Sequence, residues 1–181
     1  MFTEHEEGNT VGRRGIVVEK TKAYIAGFLD GDGSIFLQLV SRNDYKLRYQ
    51  IRASIVFYQK SSHKTILRWL IHKLRVGYLR DRPDGLSEYT IVGLKEVQRV
   101  LLEIEPYLLI KRKQAKLALR IISRLEKIHR FTAGDLLRIA KEVDKFSLLN
   151  YSKKRQNTSD SLRKFFQRRT FVPVSTDSQK F

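Results

Sequence analysis

Apolar and polar side chains alternate along two stretches before residue 60, and a period of two is typical of a β-strand. The first stretch covers residues 34–40 and the second covers residues 47–58. Asn43 and Asp44 lie in the polar segment between them, which predicts a turn. We therefore expect a long antiparallel hairpin with one apolar face and one polar, partly cationic face.

Helical spacing appears on both sides of this hairpin. A helix is predicted over residues 22–31, directly before the first strand. After the second strand, Ser61 or Ser62 can cap a helix whose apolar residues recur at helical intervals as far as Leu74. The chain thus starts with a helix, two strands and another helix.

A second hairpin is predicted over residues 77–92, with strands at 77–82 and 88–92. The turn signal Pro83-Asp84-Gly85 separates the two strands. The element order is αββαββ followed by helices, which is typical of an α+β domain. We expect a four-stranded antiparallel sheet whose apolar face is covered by helices.

The remainder of the chain is predicted to be helical. A short helix over residues 97–104 ends before Pro106, and the next helix is expected to begin around Tyr107. Thr132 can cap a further helix, and residues 159–169 form the last one.

One folded domain is expected over residues 21–170, with a flexible arm over residues 1–20 and a short tail over residues 171–181. A chain of 181 residues with 41% apolar content can bury a substantial core. The sequence has no run of 18 apolar residues and no apolar segment of the secretory type near its start. We expect an intracellular protein that does not enter a membrane.

The charge of the chain indicates a polyanionic partner. Its 36 Lys and Arg residues and 19 Asp and Glu residues give a net charge of +17. Nucleic acid is the first candidate, because the basic residues are not confined to one amphipathic helix of the kind that binds a membrane surface. The chain has no cysteine, so a catalytic metal must be held by oxygen or histidine, and its four histidines show no ligand spacing.

The polar face of the two hairpins is the predicted DNA-reading surface, because a two-stranded antiparallel ribbon fits the major groove of B-DNA. Its residue types suit base edges, and Glu88 is the only acid among them. The expected DNA-contacting residues are Ser34, Phe36, Gln38, Arg42, Tyr45, Arg48, Gln50, Arg52, Ser54, Arg80, Arg82, Glu88 and Thr90. Phosphate contacts are expected from Lys111, Arg112, Lys113, Lys116 and the basic run at 153–155.

The most specific segment of the chain is Ala-Gly-Phe-Leu-Asp-Gly-Asp-Gly-Ser at residues 26–34. Gly27 and Gly31 are four residues apart, so on a helix they share one face and allow a second helix to approach closely. Each glycine costs a helix roughly 1 kcal/mol relative to alanine, which indicates that packing decides this segment. Asp32 follows at the end of the helix.

This segment closely resembles the LAGLIDADG motif of homing endonucleases, with Asp32 at the position of the metal-binding acid. The resemblance extends over roughly residues 24–158, through Tyr-Gln-Lys at 58–60, Val-Gly-Tyr-Leu-Arg-Asp-Arg at 76–82, Lys-Arg-Lys-Gln-Ala-Lys at 111–116 and Asn-Tyr-Ser-Lys-Lys-Arg-Gln-Asn-Thr-Ser at 150–159. Lys153, Gln156 and Asn157 match positions that grip the DNA backbone.

The resemblance implies a divalent-metal-dependent DNA endonuclease encoded within an intron or an intein. Asp32 and the carbonyl of Gly31 would hold Mg²⁺, and Mn²⁺ or Ca²⁺ can take the same place. Gln59 and Lys111 would order the attacking water and stabilise the phosphoryl charge. The family often has a basic residue shortly after the glutamine, and Lys64 and Arg68 are both candidates for it.

One copy of the motif in the chain implies a homodimer on double-stranded DNA, with Gly27 and Gly31 at the interface. The site would be long and nearly palindromic, and both strands would be cut. Two other functions fit the same scaffold: an RNA maturase or DNA-binding regulator that no longer cuts, and a nuclease without sequence preference.

Overall fold

The computed structural model describes residues 18–149 and 157–170. The strands are β1 (Gly33–Ser41), β2 (Tyr49–Lys60), β3 (Tyr78–Asp81) and β4 (Leu86–Val92). The helices are α1 (Glu19–Asp32), α2 (Thr65–Leu74), α3 (Leu94–Ile104), α4 (Arg112–Glu126), α5 (Ala133–Asp144), α6 (Phe146–Leu149) and α7 (Ser159–Thr170). The order αββαββα and the α+β class are as predicted.

The four strands form one antiparallel sheet in the order β1-β2-β4-β3. Burial alternates along β1 and along β2 as far as Ile55, because successive side chains of a strand point to opposite faces. Val56 breaks the alternation, since it is 7% exposed although it points away from the helices. The residues that point toward the helices are fully or almost fully buried, and they include Leu37, Ile55 and Tyr89. We call the opposite face of the sheet the open face, because the sequence predicts no helix that covers it.

Tertiary contacts move several element boundaries away from the sequence prediction. Helix α1 begins at Glu19, three residues before the expected start at residue 22 and inside the segment predicted as an arm. Strand β3 ends at Asp81, so Arg82 lies in the turn, and β4 begins at Leu86 rather than residue 88. Residues 1–17 and the tail at 171–181 lie outside the described residues.

The prediction that Ser61 or Ser62 caps α2 is wrong. Residues 61–63 form a short 3₁₀ turn, and the N-cap of α2 is Lys64, without a side-chain cap. The hydroxyl of Ser61 instead lies 2.9 Å from the hydroxyl of Ser87. The Thr132 cap of α5 is confirmed, since its hydroxyl accepts from the backbone N–H of Asp135 in a capping box.

The helix expected from Tyr107 begins five residues later, at Arg112. The backbone N–H groups of residues 109–111 donate to the carboxylate of Asp30. This segment is therefore held against the end of α1 and does not form a helical turn of its own. Within residues 18–149 and 157–170, no helix has both the length and the apolar content needed to cross a membrane.

Two glycines with left-handed backbone give a test of packing in the second hairpin. At Gly77 (φ +86°) there is no room for a side chain, because a Cβ atom there would lie 2.4 Å from the carbonyl oxygen of Thr90. Gly85 (φ +79°) has nothing within 4 Å of the same position. Alanine is strained at both positions, but only at Gly77 does it also meet backbone atoms.

We therefore expect Gly77→Ala to lower the free energy of unfolding by about 2 kcal/mol more than Gly85→Ala does. Chemical denaturation of both variants and the wild type measures this difference. Equal losses for the two variants would show that the contact between Gly77 and Thr90 does not constrain the hairpin.

Candidate functional site

Two aspartates at the end of α1 have opposite surroundings. Asp30 is only 9% exposed, and its carboxylate accepts backbone N–H groups from Leu109 at 2.7 Å, Ile110 at 3.1 Å and Lys111 at 2.8 Å. Asp32 is exposed. Asp30 therefore fastens the chain before α4 to the end of α1, whereas Asp32 is available for other contacts.

Lys111 lies against the same helix end. Its ammonium Nζ donates to the backbone carbonyl of Asp30 at 2.5 Å, and its side chain is half-buried. Burial lowers the pKa of Lys111, and the negative charges of Asp30 and Asp32 oppose that change. A cation is thus held close to the exposed carboxylate of Asp32.

The sheet register brings Gln59 to this corner of the molecule. Gly33, the first residue of β1, pairs with Phe57 of β2. Gln59 lies two residues further along β2, at the end of the strand that runs past Asp32. Its side-chain Oε1 accepts from the backbone N–H of Lys60 at 2.9 Å. Asp32, Lys111 and Gln59 therefore come from three separate segments of the chain, and hydrogen bonds and strand register bring these segments toward the junction of α1 and β1, which we call the corner.

The donor set at this corner fits a hard cation with few protein ligands. Among the described residues, no group of three or more His, Cys, Asp and Glu side chains is arranged to hold a metal. Mg²⁺ usually binds one or two carboxylates and completes its shell with water and substrate phosphate. Asp32 is the exposed carboxylate here, and the carbonyl of Gly31 adjoins it, while Asp30 is occupied by backbone donors.

The two candidate bases after Gln59 have different environments. The ammonium of Lys64 lies 2.7 Å from Oδ2 of Asp81, so it is committed to an ion pair. Arg68 is exposed on α2. Hydrogen bonds from Lys64 and Ser87 are the main causes of the lowered pKa of Asp81, and the charge of Arg68 adds a smaller contribution.

The open face carries most of the predicted DNA-reading side chains of the first hairpin. Gln38, Gln50 and Arg52 are exposed there, between half-buried neighbours at Ser34, Phe36 and Ser54. Cross-strand pairs such as Gln38 with Arg52 and Phe36 with Ser54 join the two strands across this face. The surface is thus continuous along β1 and β2.

Glu88 and Thr90 lie on the open face as predicted, but they are 9% and 7% exposed. The carboxylate of Glu88 is 2.6 Å from the guanidinium of Arg80 and 3.9 Å from that of Arg82. Arg82 also pairs with Asp84 at 2.6 Å. The sequence suggested that Glu88 is an acceptor freely available to DNA. In the structure it is instead paired with the two arginines.

Three residues outside the predicted DNA-reading set also form this part of the face. Val56, Tyr58 and Tyr78 line a groove together with Phe36, Gln38, Ser54, Arg80, Glu88 and Thr90. Burial, and then the charge of Glu88, raise the pKa of the Tyr58 hydroxyl. Its position in β2 shares the parity of Arg52 and Ser54, and this was the signal available in the sequence.

At the tip of the first hairpin, the predicted DNA-contacting residues Arg42 and Tyr45 contact neighbouring residues of the same hairpin. The guanidinium of Arg42 bonds both carboxylate oxygens of Asp44, at 3.0 and 2.9 Å, and lies 5.4 Å from the centre of the Tyr45 ring. Arg48 has a left-handed backbone with φ of 61°. Of the predicted backbone-gripping residues, Asn157 is partly buried just before α7, and Lys153 and Gln156 lie outside the described residues.

One face of α1 is not covered by any of the residues that the structure describes. Gly27 and Gly31 are exposed, and a Cβ built on either would meet nothing within 4 Å. Tyr24, one turn earlier, is 52% exposed. This uncovered face, defined by Tyr24, Gly27 and Gly31, leads directly to Asp32.

A family model described as a LAGLIDADG endonuclease matches residues 25–121, which include the second half of α1, the whole sheet and the segment that carries Lys111. The chain belongs to the LAGLIDADG endonuclease family. Its known relatives include DNA endonuclease I-CvuI of Chlorella vulgaris, which is 40% identical over 141 residues, or 78% of this chain and 86% of the relative. DNA endonuclease I-CreI of Chlamydomonas reinhardtii is 36% identical over 140 residues, or 77% and 85%.

Solved structures agree with this assignment. I-CvuI in complex with its target in the presence of 2 mM Ca matches with a TM-score of 0.78 and 38% identity, covering 83% of this chain and 94% of that one. I-CvuI with the I-CreI target in the presence of 2 mM Mg, in which the DNA is not cleaved, matches with a TM-score of 0.79 and 38% identity, covering 85% and 97%.

The contrast between Asp30 and Asp32 gives a prediction on stability. Asp30→Asn should lower the free energy of unfolding by about 3 kcal/mol, because a buried charged acceptor of three N–H groups is replaced by an amide with one oxygen. The matched change Asp32→Asn removes an exposed charge and should leave stability within about 0.5 kcal/mol of the wild type. Denaturant titration of both variants measures the difference, and equal stabilities would refute the structural role assigned to Asp30.

Proposed function

We propose that this protein is a site-specific homing endonuclease that hydrolyses phosphodiester bonds on both strands of a long, pseudo-palindromic DNA site. It acts as a Mg²⁺-dependent homodimer. The observation that carries the proposal is the corner at which exposed Asp32 adjoins Lys111 and the end of β2 with Gln59. The open face of the sheet extends from this corner.

Binding of double-stranded DNA is supported by charge and by shape. The chain carries a net charge of +17, and its open face presents Gln38, Gln50 and Arg52. The nine residues of β1, at about 3.3 Å each, span about 30 Å, close to one turn of B-DNA. The relative I-CvuI has been solved with its DNA target, and its sheet is homologous to this one.

Each residue of the corner has a different role in the proposed hydrolysis. Asp32 and the carbonyl of Gly31 would hold Mg²⁺, which when bound neutralises phosphoryl charge and assists the attacking water and the leaving oxygen. Lys111 places a positive charge beside the scissile phosphate, since its ammonium is held at the end of α1. Gln59 can orient the attacking water through its amide. Ca²⁺ or Mn²⁺ can occupy the same oxygen ligands.

A homodimer is supported by the presence of one exposed acid at the corner, Asp32, and by the uncovered face of α1. Two strand cuts need two such acids, and a two-fold axis through the Gly27 and Gly31 surface would bring two Asp32 carboxylates together. Leu109 and Ile110 are 87% and 75% exposed on the segment that Asp30 fastens to α1. Apolar side chains so near the helix end suit a protein interface.

Asp32→Asn tests the cleavage mechanism. The wild-type protein, incubated with Mg²⁺ and a randomised duplex library, is expected to cut discrete sites with two-fold symmetry. Asp32→Asn should bind the selected duplex with nearly unchanged affinity and cleave it at least about 100-fold more slowly, because the carboxylate that holds the metal is gone. Asp160→Asn, at an exposed carboxylate in the first turn of α7, is the matched control and should cut normally.

The same library separates the other two functions of this scaffold. A maturase or DNA-binding regulator would retain bound duplexes without cutting any, and a nuclease without sequence preference would digest the library without discrete sites. Native-rate cleavage by Asp32→Asn would contradict the proposed mechanism.

Gly27→Leu tests the proposed dimer. Space around Gly27 is open in the monomer, so the leucine should leave the fold intact while it blocks close approach of a second helix. Sedimentation equilibrium should show a dimer for the wild type and a monomer for the variant. Gly134→Leu, at an exposed helical glycine of α5, is the control and should remain dimeric. A wild-type monomer, with or without the selected duplex, would refute the homodimer.

A further inference from the structure

One row of the sheet joins the second hairpin to Gln59. In the antiparallel register, Ser87 of β4 pairs with Gln59 on one side and with Asp81 of β3 on the other. Directly paired residues point to the same face, so these three side chains share the face that the helices cover. The next row, which includes Glu88 and Arg80, points to the open face.

The hydroxyl of Ser87 is a fixed link within this row. Ser87 is fully buried, and its Oγ lies 2.6 Å from Oδ1 of Asp81 and 2.9 Å from Oγ of Ser61. A hydroxyl has one proton, and the ionised carboxylate of Asp81 can only accept. Ser87 therefore donates to Asp81 and accepts from Ser61, which gives the chain of hydrogen bonds one direction.

The turn that follows Gln59 is fastened to the hairpin at three points. The first is the hydroxyl contact of Ser61, and the second is its backbone N–H, which donates to the carbonyl of Gly85 at 2.9 Å. The third is the ammonium of Lys64, which lies 2.7 Å from Oδ2 of Asp81. Both carboxylate oxygens of Asp81 are thus bonded, one to Lys64, which lies five residues after Gln59, and the other to Ser87, which lies opposite Gln59 in the sheet.

Asp81 also lies between two arginines of the open face. Arg80 and Arg82 flank it in sequence and bind Glu88, while Asp81 contacts Ser87 and Lys64. A movement of this hairpin against DNA would therefore move Asp81 and, through it, the turn after Gln59.

We propose that Asp81 is a positioning residue that couples docking of the second hairpin on DNA to the placement of Gln59. It acts through its contacts with Ser87 and Lys64, and through the contact of Ser87 with Ser61. The role of Lys64 in this arrangement is to hold Asp81. This inference rests on the proposed endonuclease function and assigns a regulator of the same site.

Asp81→Asn should lower the single-turnover cleavage rate at saturating protein by about 10-fold or more, since small misplacement of a catalytic group has effects of this size. Affinity for the library-selected duplex, measured without a divalent metal, should change less than about 3-fold. Asp84→Asn is the matched control, because it removes the same charge from the same hairpin without a place in the row. Its cleavage rate should equal that of the wild type.

Two further comparisons distinguish positioning from a general loss of structure. In a Gln59→Ala background, Asp81→Asn should cause little additional loss of rate, because both changes remove the same contribution. Lys64→Arg should keep the wild-type rate by preserving the ion pair, and Lys64→Met should match Asp81→Asn. These Lys64 variants carry the test if Asp81→Asn does not fold.

The inference is refuted if Asp81→Asn cleaves at the wild-type rate, or if its effect is equally large with and without Gln59. A Lys64→Met loss that adds fully to that of Asp81→Asn would also refute it, because Lys64 would then act on its own. Failure of the wild type to cut any library duplex would refute the endonuclease function itself, which separates the two conclusions.

Discussion

The carboxylate of Asp30 is the contact on which the arrangement of the corner depends. It accepts N–H groups from residues 109–111, about 80 positions further along the chain, and it is almost fully buried while doing so. A buried carboxylate is tolerated when its oxygens are hydrogen-bonded, and these donors would be unsatisfied without it. These three hydrogen bonds fix the start of α4 and place Lys111 against the end of α1. They leave Asp32 as the exposed acid at that end.

Local pattern in the sequence was enough to predict the sheet. The period of two in β1 and β2 gives the residues that face the helices correctly, because a half-buried strand has to alternate; it does not predict that Val56 is also buried on the other face. The Thr132 capping box was also readable, since its partners are three residues apart. The motif around Asp32 identified the family, which the comparisons bear out.

Long-range pairing was not readable in the same way. The helix predicted from Tyr107 failed because Asp30, far away in sequence, takes the N–H groups that a new helical turn would have left free. Ser61 looked like a helix cap until the register placed Ser87 beside it. Lys64 could be assigned to Asp81 only once β3 and α2 were packed together. Each of these depends on strand register or helix docking, which no short window of sequence contains.

The pairing of Glu88 with Arg80 and Arg82 limits how the open face, the proposed DNA-reading surface, can be redesigned. The carboxylate is largely enclosed, with its side chain only 11% exposed, and Arg80 is its nearest counter-charge. Exchanging that arginine for a neutral side chain would leave an enclosed anion short of a partner, which is costly wherever it occurs. A redesign of this proposed DNA-reading strand pair therefore has to treat the three side chains as a group, with Glu88 replaced in the same step as the arginine that faces it.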